Sequence, residues 1–398
     1  MGNDIVIDMD LSSLYGERFG MSVPITLANW QDPQHLAWSY RHVGDLITTA
    51  RVRRADRPSP LPSRLPSSGA PAPGALAARR LLDDDATDGL IVLHRGEVVL
   101  EEYRRAMRSD HVHLLQSVSK SITGTLTGIL VGQGALAPSD AVTAHVPELA
   151  GTSFAGASVR DLLDMRAGTR FDENYADPAS DIRISEAQFG WAPGPRPARD
   201  AVAYLSTLTE QRPHGGRFEY RSILSDVLGL VLERASGRPF AETLGDELWA
   251  PMGAETDASV TVAADGFAVA DGGISVSLRD LARFGRLVLN DGAAHGRQII
   301  PAQWLADTLA GDDDARRAFA QDQHSAELPG GHYRNQWWVP PGRRALLGLG
   351  IHGQFLFIDR ATDTVIALLS TWSTPLDDAR HRTAIDAFWA TALALGAA

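Results

Sequence analysis

The chain has 398 residues, 44% of them hydrophobic and 22% charged, the profile of a folded protein with a substantial core. A formal net charge of −12 argues against nucleic acid as a partner, because phosphate binding needs a basic surface. With no cysteine there is no disulfide, no thiolate nucleophile and no Cys-ligated zinc.

The opening MGNDIVIDMD is acidic and has no apolar centre, so no secretory signal is expected. No uninterrupted apolar run reaches the length of about 18 residues that a membrane span needs. The expected location is therefore the cytoplasm, with no membrane partner. Residues 1–57 carry scattered aromatics (Trp30, Trp38, Tyr40) and are expected to wrap over a domain. The run PSPLPSRLPSSGAPAPG, 58–74, reads as an extended connector.

GLIVLHRGEVVLEEYRR then reads as a β-hairpin about Arg95-Gly96. SVSKSITGTLTGILVGQGAL follows, with Ile122, Leu126, Ile129 and Leu130 at helical spacing and a glycine stop. Residues 135–264 read mostly as helices and loops, including VRDLLDM, DAVAYLSTL and SILSDVLGLVLERASG. Strand patterns return in QFLFIDR and TVIALLSTW. The order predicts an α/β (α+β) fold whose antiparallel sheet is built from both chain ends and flanked by helices. We divide the chain into a wrapping segment and connector (1–74), a sheet domain (75–112 and 265–398) and a mainly helical domain (113–264).

Lys120 is the only lysine; every other cation among the 37 Lys and Arg is arginine. Guanidinium keeps its proton in any protein site, whereas a desolvated ammonium can become a neutral amine near pH 7. Ser117 lies one helical turn before Lys120 at the start of the helix. There the helix amides favour negative charge, and a neutral Lys120 could take the serine proton. An N-cap serine beside a solvated lysine fits the same spacing.

Tyr220 and Ser222, in GRFEYRS before a helix, form Tyr-x-Ser, in which a phenol near an ammonium has a lowered pKa and can shuttle a proton. A packed aromatic with a satisfied hydroxyl is the other reading. GLGIHGQ, 348–354, matches the glycine spacing of a dinucleotide site, but a strand rather than a helix follows it, which excludes that reading. Its glycines are expected to let substrate approach an edge strand whose amides complete an oxyanion hole. His111 and His113 alternate on a strand without a third ligand, so no metal is assigned. There is no G-x-S-x-G elbow.

In order and spacing, Ser117-Val-Ser-Lys120, VRDLLDMRAGT, Tyr220-Arg-Ser222, ELWAPMGAE, GGISVSLRDLARFGRLVLNDG and GIHGQ resemble the serine β-lactamase-like hydrolases: class C β-lactamases, DD-peptidases and related esterases. The resemblance implies a β-lactamase/transpeptidase-like fold with a helical lobe and the active site between the lobes. It also implies roles: Ser117 as nucleophile, Lys120 as its base, Tyr220 as proton relay, and the Ser117 and Ile351 amides as oxyanion hole. Tyr175, in ENYADP, matches a tyrosine that meets the scissile amide in the branch acting on linear amide oligomers. Ser222 and His352 are expected beside substrate.

Two departures stand out. No lysine can fill a Lys-Thr-Gly motif, so the cation that would meet a β-lactam carboxylate is missing there. The acidic position facing a substrate amine in the linear-amide branch is Glu186, one methylene longer than the aspartate found there. The expectation is a serine hydrolase that opens an amide or ester of a small molecule through a Ser117 acyl-enzyme, without cofactor or metal. A transacylase using an amine acceptor, a β-lactamase and a non-catalytic binding protein of the same fold remain alternatives. A homodimer is compatible with the sequence.

Overall fold

The structure is a computed structural model that describes residues 24–65, 70–194, 200–342 and 345–397. The strands of its two larger sheets are β1 (Thr49–Val52), β2 (Thr87–His94), β3 (Glu97–Tyr103), β4 (Val112–Leu114), β5 (Ala258–Thr261), β6 (Ile274–Ser277), β7 (His332–Arg334), β8 (Trp337–Val339), β9 (Ala345–Gly350), β10 (Gln354–Asp359) and β11 (Thr364–Ser370). Seven of them form one antiparallel sheet in the order β3-β2-β11-β10-β9-β8-β7, so the early hairpin and the late strands share a sheet. The hairpin turn places Arg95 at φ 51° and Gly96 at φ 77°, the doubly left-handed geometry that matches strand twist.

A second sheet, β1-β5-β6-β4, has no counterpart in the sequence reading. It ties the N-terminal segment to the middle of the chain through the β1–β5 register Thr49↔Thr261 to Val52↔Ala258. The described part of the connector also has a task. The Val98 amide donates to Pro62 O (2.8 Å), and the Arg64 amide donates to Val98 O (2.9 Å), so the connector runs along β3 and occupies its outer edge.

The helices that cover the large sheet and build the site are α1 (Val118–Gly132), α2 (Asp181–Gln188), α3 (Ile223–Ser236), α4 (Leu278–Leu289) and α5 (Asp378–Gly396). Both faces of the large sheet are covered. Gly285 of α4 sits against Val365 and Leu356, while Phe388 of α5 packs on Phe355 and Phe357, which point to the opposite face. All eight residues of β2 are accordingly buried.

The helix α1 is buried from Val118 through Leu130 and packs against β9 and α3, instead of showing a polar face to water. Its small residues make that possible. A Cβ on Gly124 would lie 2.2 Å from the Asn335 carbonyl oxygen, and one on Gly128 would lie 2.4 Å from the Trp304 ring. Its buried hydroxyls are satisfied: Thr125 and Thr127 donate to the carbonyls of Ser121 and Thr123, and Thr123 donates to Ala270 O. The sheet and α3 thus clamp a helix whose first turn carries the only lysine.

Candidate active site

The chain enters α1 through Gln116, a non-glycine residue held at φ 48°, with Ser117 as the N-cap. Gln116 is fixed by its amide donating to the Tyr40 hydroxyl (2.7 Å), a contact supplied by the N-terminal segment. One turn on, Lys120 is 1% exposed, and its Nζ donates to Ser117 Oγ at 2.9 Å, so the predicted pair is in bonding contact. Nζ also donates to Ser222 Oγ (2.9 Å) and to the Asp271 carbonyl (3.1 Å), and the Asp271 carboxylate lies 3.3 Å away. Three acceptor directions suit the three protons of an ammonium.

That arrangement overturns the expectation of an uncharged resting amine. Burial alone would lower the Lys120 pKa, but Tyr220, Asp271, Glu173 and Asp226 together raise it above the ordinary lysine value. Tyr220 contacts both Ser117 and Lys120, as expected of a relay, and Nζ lies 5.1 Å from its ring centroid. Its pKa is raised rather than lowered. Burial dominates, and the pull of Lys120 offsets it only in part. The ring is held by stacking on Trp338 at 5.4 Å.

Behind the lysine lie carboxylates that sequence reading missed. Glu173 accepts from the Ser222 amide (3.0 Å), from the Ser222 hydroxyl and from the Tyr175 hydroxyl (3.0 Å). Its carboxyl is pushed up by burial, more than Lys120 and the Ser222 hydrogen bonds pull it down. Asp226 accepts from the Asp271 amide (3.0 Å); burial, then the neighbouring Asp271 charge, drives its carboxyl far above the usual range. Glu173 lies in ENYADP beside the tyrosine already singled out, so its position was visible although its partner was not. Nothing local marks Asp226 or Asp271, which reach Lys120 only through tertiary contact.

The end of β9 meets the start of α1. A Cβ on Gly350 would be 2.7 Å from Leu115 O and 3.1 Å from Ser117 N, and one on Gly348 would be 3.2 Å from Val118 Cγ1. These glycines therefore admit the helix rather than substrate, and β9 is an interior strand, paired with β8 and β10, rather than an edge. Ile351 follows directly and lines the pocket with Ser117. Among the described residues neither the Ser117 nor the Ile351 amide donates a hydrogen bond, so both are free to meet an oxyanion.

His352 does not face that pocket. It is buried at φ 59°, its Nδ1 is 2.7 Å from Trp372 O, and it meets the Tyr40 ring edge-on. Burial lowers its pKa to about 4, which keeps it neutral, and it braces the turn that presents Ile351. Ser222 likewise lies behind Lys120 instead of against substrate.

The pocket has a volume of about 30 Å³, and Tyr175, Glu186 and Asp271 contribute to its wall. Glu186 is not a free carboxylate. Arg183, one α2 turn earlier, donates to it at 2.8 Å and also to Tyr175 O and Gln31. Burial nonetheless leaves the Glu186 pKa raised, the arginine offsetting only part of the cost. The Trp30 indole donates to Trp191 O (2.7 Å), so the wrapping segment helps build this wall.

Comparison with known proteins agrees with the geometry. A beta-lactamase family model matches residues 78–388. The 6-aminohexanoate-dimer hydrolase of Paenarthrobacter ureafaciens is 38% identical over 368 residues, covering 89% of this chain and 90% of that one. A Bacillus anthracis structure assigned provisionally as a 6-aminohexanoate-dimer hydrolase superimposes with a TM-score of 0.79 at 26% identity, over 92% of this chain and 96% of that one. A family VIII carboxylesterase shares the fold, with a TM-score of 0.60 at 17% identity over 81% and 98% of the two chains. Among the described residues no helix is long and apolar enough to cross a membrane. With a family match across most of its length and a Ser-x-x-Lys pair, its lysine buried, beside two free amides, the chain is a serine hydrolase of the beta-lactamase family.

Proposed function

We propose that the protein cleaves an amide or ester bond of a small molecule through an acyl-enzyme on Ser117. The observation that carries this reading is the 2.9 Å contact between Lys120 Nζ and Ser117 Oγ at the N-terminus of a buried helix. The Ser117 proton passes into the Lys120–Tyr220 pair as Oγ attacks the carbonyl carbon. The new oxyanion meets the Ser117 and Ile351 amides. Tyr220, in contact with both groups, delivers the proton to the departing amine or alcohol. Water then repeats the attack in the emptied leaving-group position and releases the acid. Because the resting site favours an ammonium, the active fraction is the one in which this pair has lost a proton, and that fraction grows as pH rises.

A cation for a β-lactam carboxylate is missing where the family carries Lys-Thr-Gly, since Gly348-Leu349-Gly350 stands there. The carboxylates around Lys120 add negative potential where an anionic substrate would sit. Both features support linear amides or esters, as the name of the 38% identical relative suggests for that enzyme. A fluorophosphonate probe should attach to Ser117 and to no other residue, and Lys120→Arg should abolish attachment, because guanidinium cannot exchange the proton. Labelling of Lys120→Arg at the wild-type rate would refute the assignment of the base.

A further inference from the structure

We propose that the cavity between the connector and the end of α4 is a second binding site, which takes a small organic carboxylate through Arg286. Its volume is about 550 Å³, and among the described residues it shares no wall residue with the pocket at Ser117. A space of that size admits a small ligand. Its wall takes Ser59, Pro60 and Pro62 from the connector and Arg286, Leu287 and Asn290 from the end of α4. Met252 and Ala294 extend the apolar part, so a hydrocarbon body has a surface to rest on.

Among the described residues no Asp or Glu lines this cavity, in a chain of net charge −12. Its two guanidiniums differ in what they meet. Arg283 is fully engaged, donating through Nε to Ser59 O (2.9 Å) and through its other nitrogens to Asp280 (2.9 Å) and Glu255 (2.5 Å). Arg286 is half-buried and, among the described residues, pairs with no carboxylate. It donates to Pro60 O and to Ser59 Oγ, both at 3.0 Å, which leaves most of the guanidinium donors unused. Burial and the Arg283 charge lower its pKa, and no carboxylate offsets them. The α4 carbonyls that could supply a counter-charge are taken: those of Arg286, Leu287 and Asn290 accept from the amides of Asn290, Gly292 and Ala293. Ser59 is 5% exposed, and because its hydroxyl accepts from Arg286, its own proton points elsewhere and has no acceptor among the described residues. A carboxylate supplies what both groups lack. Its two oxygens match the guanidinium fork, and one of them can accept from Ser59 as well. One unpaired cation balances one charge, which favours a carboxylate over a phosphate ester carrying nearly two.

Titration calorimetry of the full chain with benzoate, phenyl phosphate and benzyl alcohol tests this, since the three share an aryl body and differ in charge. Benzoate should bind saturably with a Kd below about 5 mM, and benzyl alcohol at least about tenfold more weakly. Arg286→Gln should weaken benzoate by about tenfold or more, and Arg286→Lys should recover part of the loss. Arg286 also anchors the connector, so Ala293→Trp is the second variant: it keeps Arg286, brings an indole into the cavity and should abolish binding. The kcat/KM for p-nitrophenyl butyrate should stay at the wild-type level in all three variants, which shows them folded and the benzoate site separate from the catalytic pocket. Undiminished benzoate affinity in Arg286→Gln or in Ala293→Trp, or no saturable binding to the wild type, overturns the proposal. Phenyl phosphate binding more tightly than benzoate overturns the assignment to carboxylates.

Discussion

Gly350 ends β9 against the start of α1, and its replacement by alanine asks whether that contact sets the oxyanion geometry. The new Cβ would fall 2.7 Å from Leu115 O and 3.1 Å from Ser117 N, both backbone atoms that no rotamer change can move. Non-bonded heavy atoms rest at about 3.5 Å, so strand and helix must separate by roughly half an ångström or more. That motion pulls the Ile351 amide away from the Ser117 amide. Loss of one oxyanion donor costs about 10²–10³ in kcat, or about 3–4 kcal/mol of transition-state stabilisation. We expect Gly350→Ala to lose about a hundredfold in kcat on a p-nitrophenyl ester, with a smaller change in KM. Gly348 is the control on the same face of the strand. Its Cβ would meet only side-chain atoms, Val118 Cγ1 at 3.2 Å and Ser121 Oγ at 3.3 Å, and these can yield. Gly348→Ala should therefore lose only a few-fold. Thermal unfolding of both variants establishes that each is folded. A folded Gly350→Ala enzyme with nearly wild-type kcat, or equal damage from Gly348→Ala, would refute the reasoning.

Two further outcomes concern charge. Asp271 is among the groups that raise the Lys120 pKa, so Asp271→Asn should shift the limb on which kcat/KM rises with pH to lower pH; Asp226 takes over part of the charge and keeps the shift partial. A limb that stays put or moves upward would contradict this electrostatic account. His352 is neutral and buried, its pKa lowered to about 4 from an ordinary 6.5, so the unfolded chain binds its proton more readily than the folded one. Its contribution to stability is complete above pH 6.5 and is lost as pH falls toward about 4; by linkage this amounts to about 2 kcal/mol between pH 7 and pH 5. Urea unfolding of the wild type and His352→Asn at both pH values measures it, and an equal decline in the two proteins would show that another group is responsible.

The parts of the site that could be read from sequence are those that local spacing creates. Ser117 and Lys120 are one helical turn apart, Tyr220 precedes a helix, and the hairpin and late strands have alternating patterns that suit a shared sheet. The electrostatics could not be read this way. Asp271 and Asp226 lie 151 and 106 positions after Lys120, and they are among the groups that hold its proton against the effect of burial. The glycines of GLGIHGQ were legible as a close approach but not as an approach to α1, because only the assembled sheet brings Leu115 there. Glu186 was visible as an acidic residue, whereas its neutralisation by Arg183 required knowing that residues 181–188 are helical and that their inner face turns toward Gln31.

The enclosure of α1 bears on how the enzyme fails. A nucleophile carried on a mobile surface loop can be lost by local fraying while the rest of the protein survives. Here the helix bearing Ser117 is covered on every side from Val118 to Leu130, so its amides exchange with solvent only through openings large enough to part the sheet from α3. Heat or denaturant should then extinguish activity and dissolve the core as a single event, leaving no inactive but still folded species along the way.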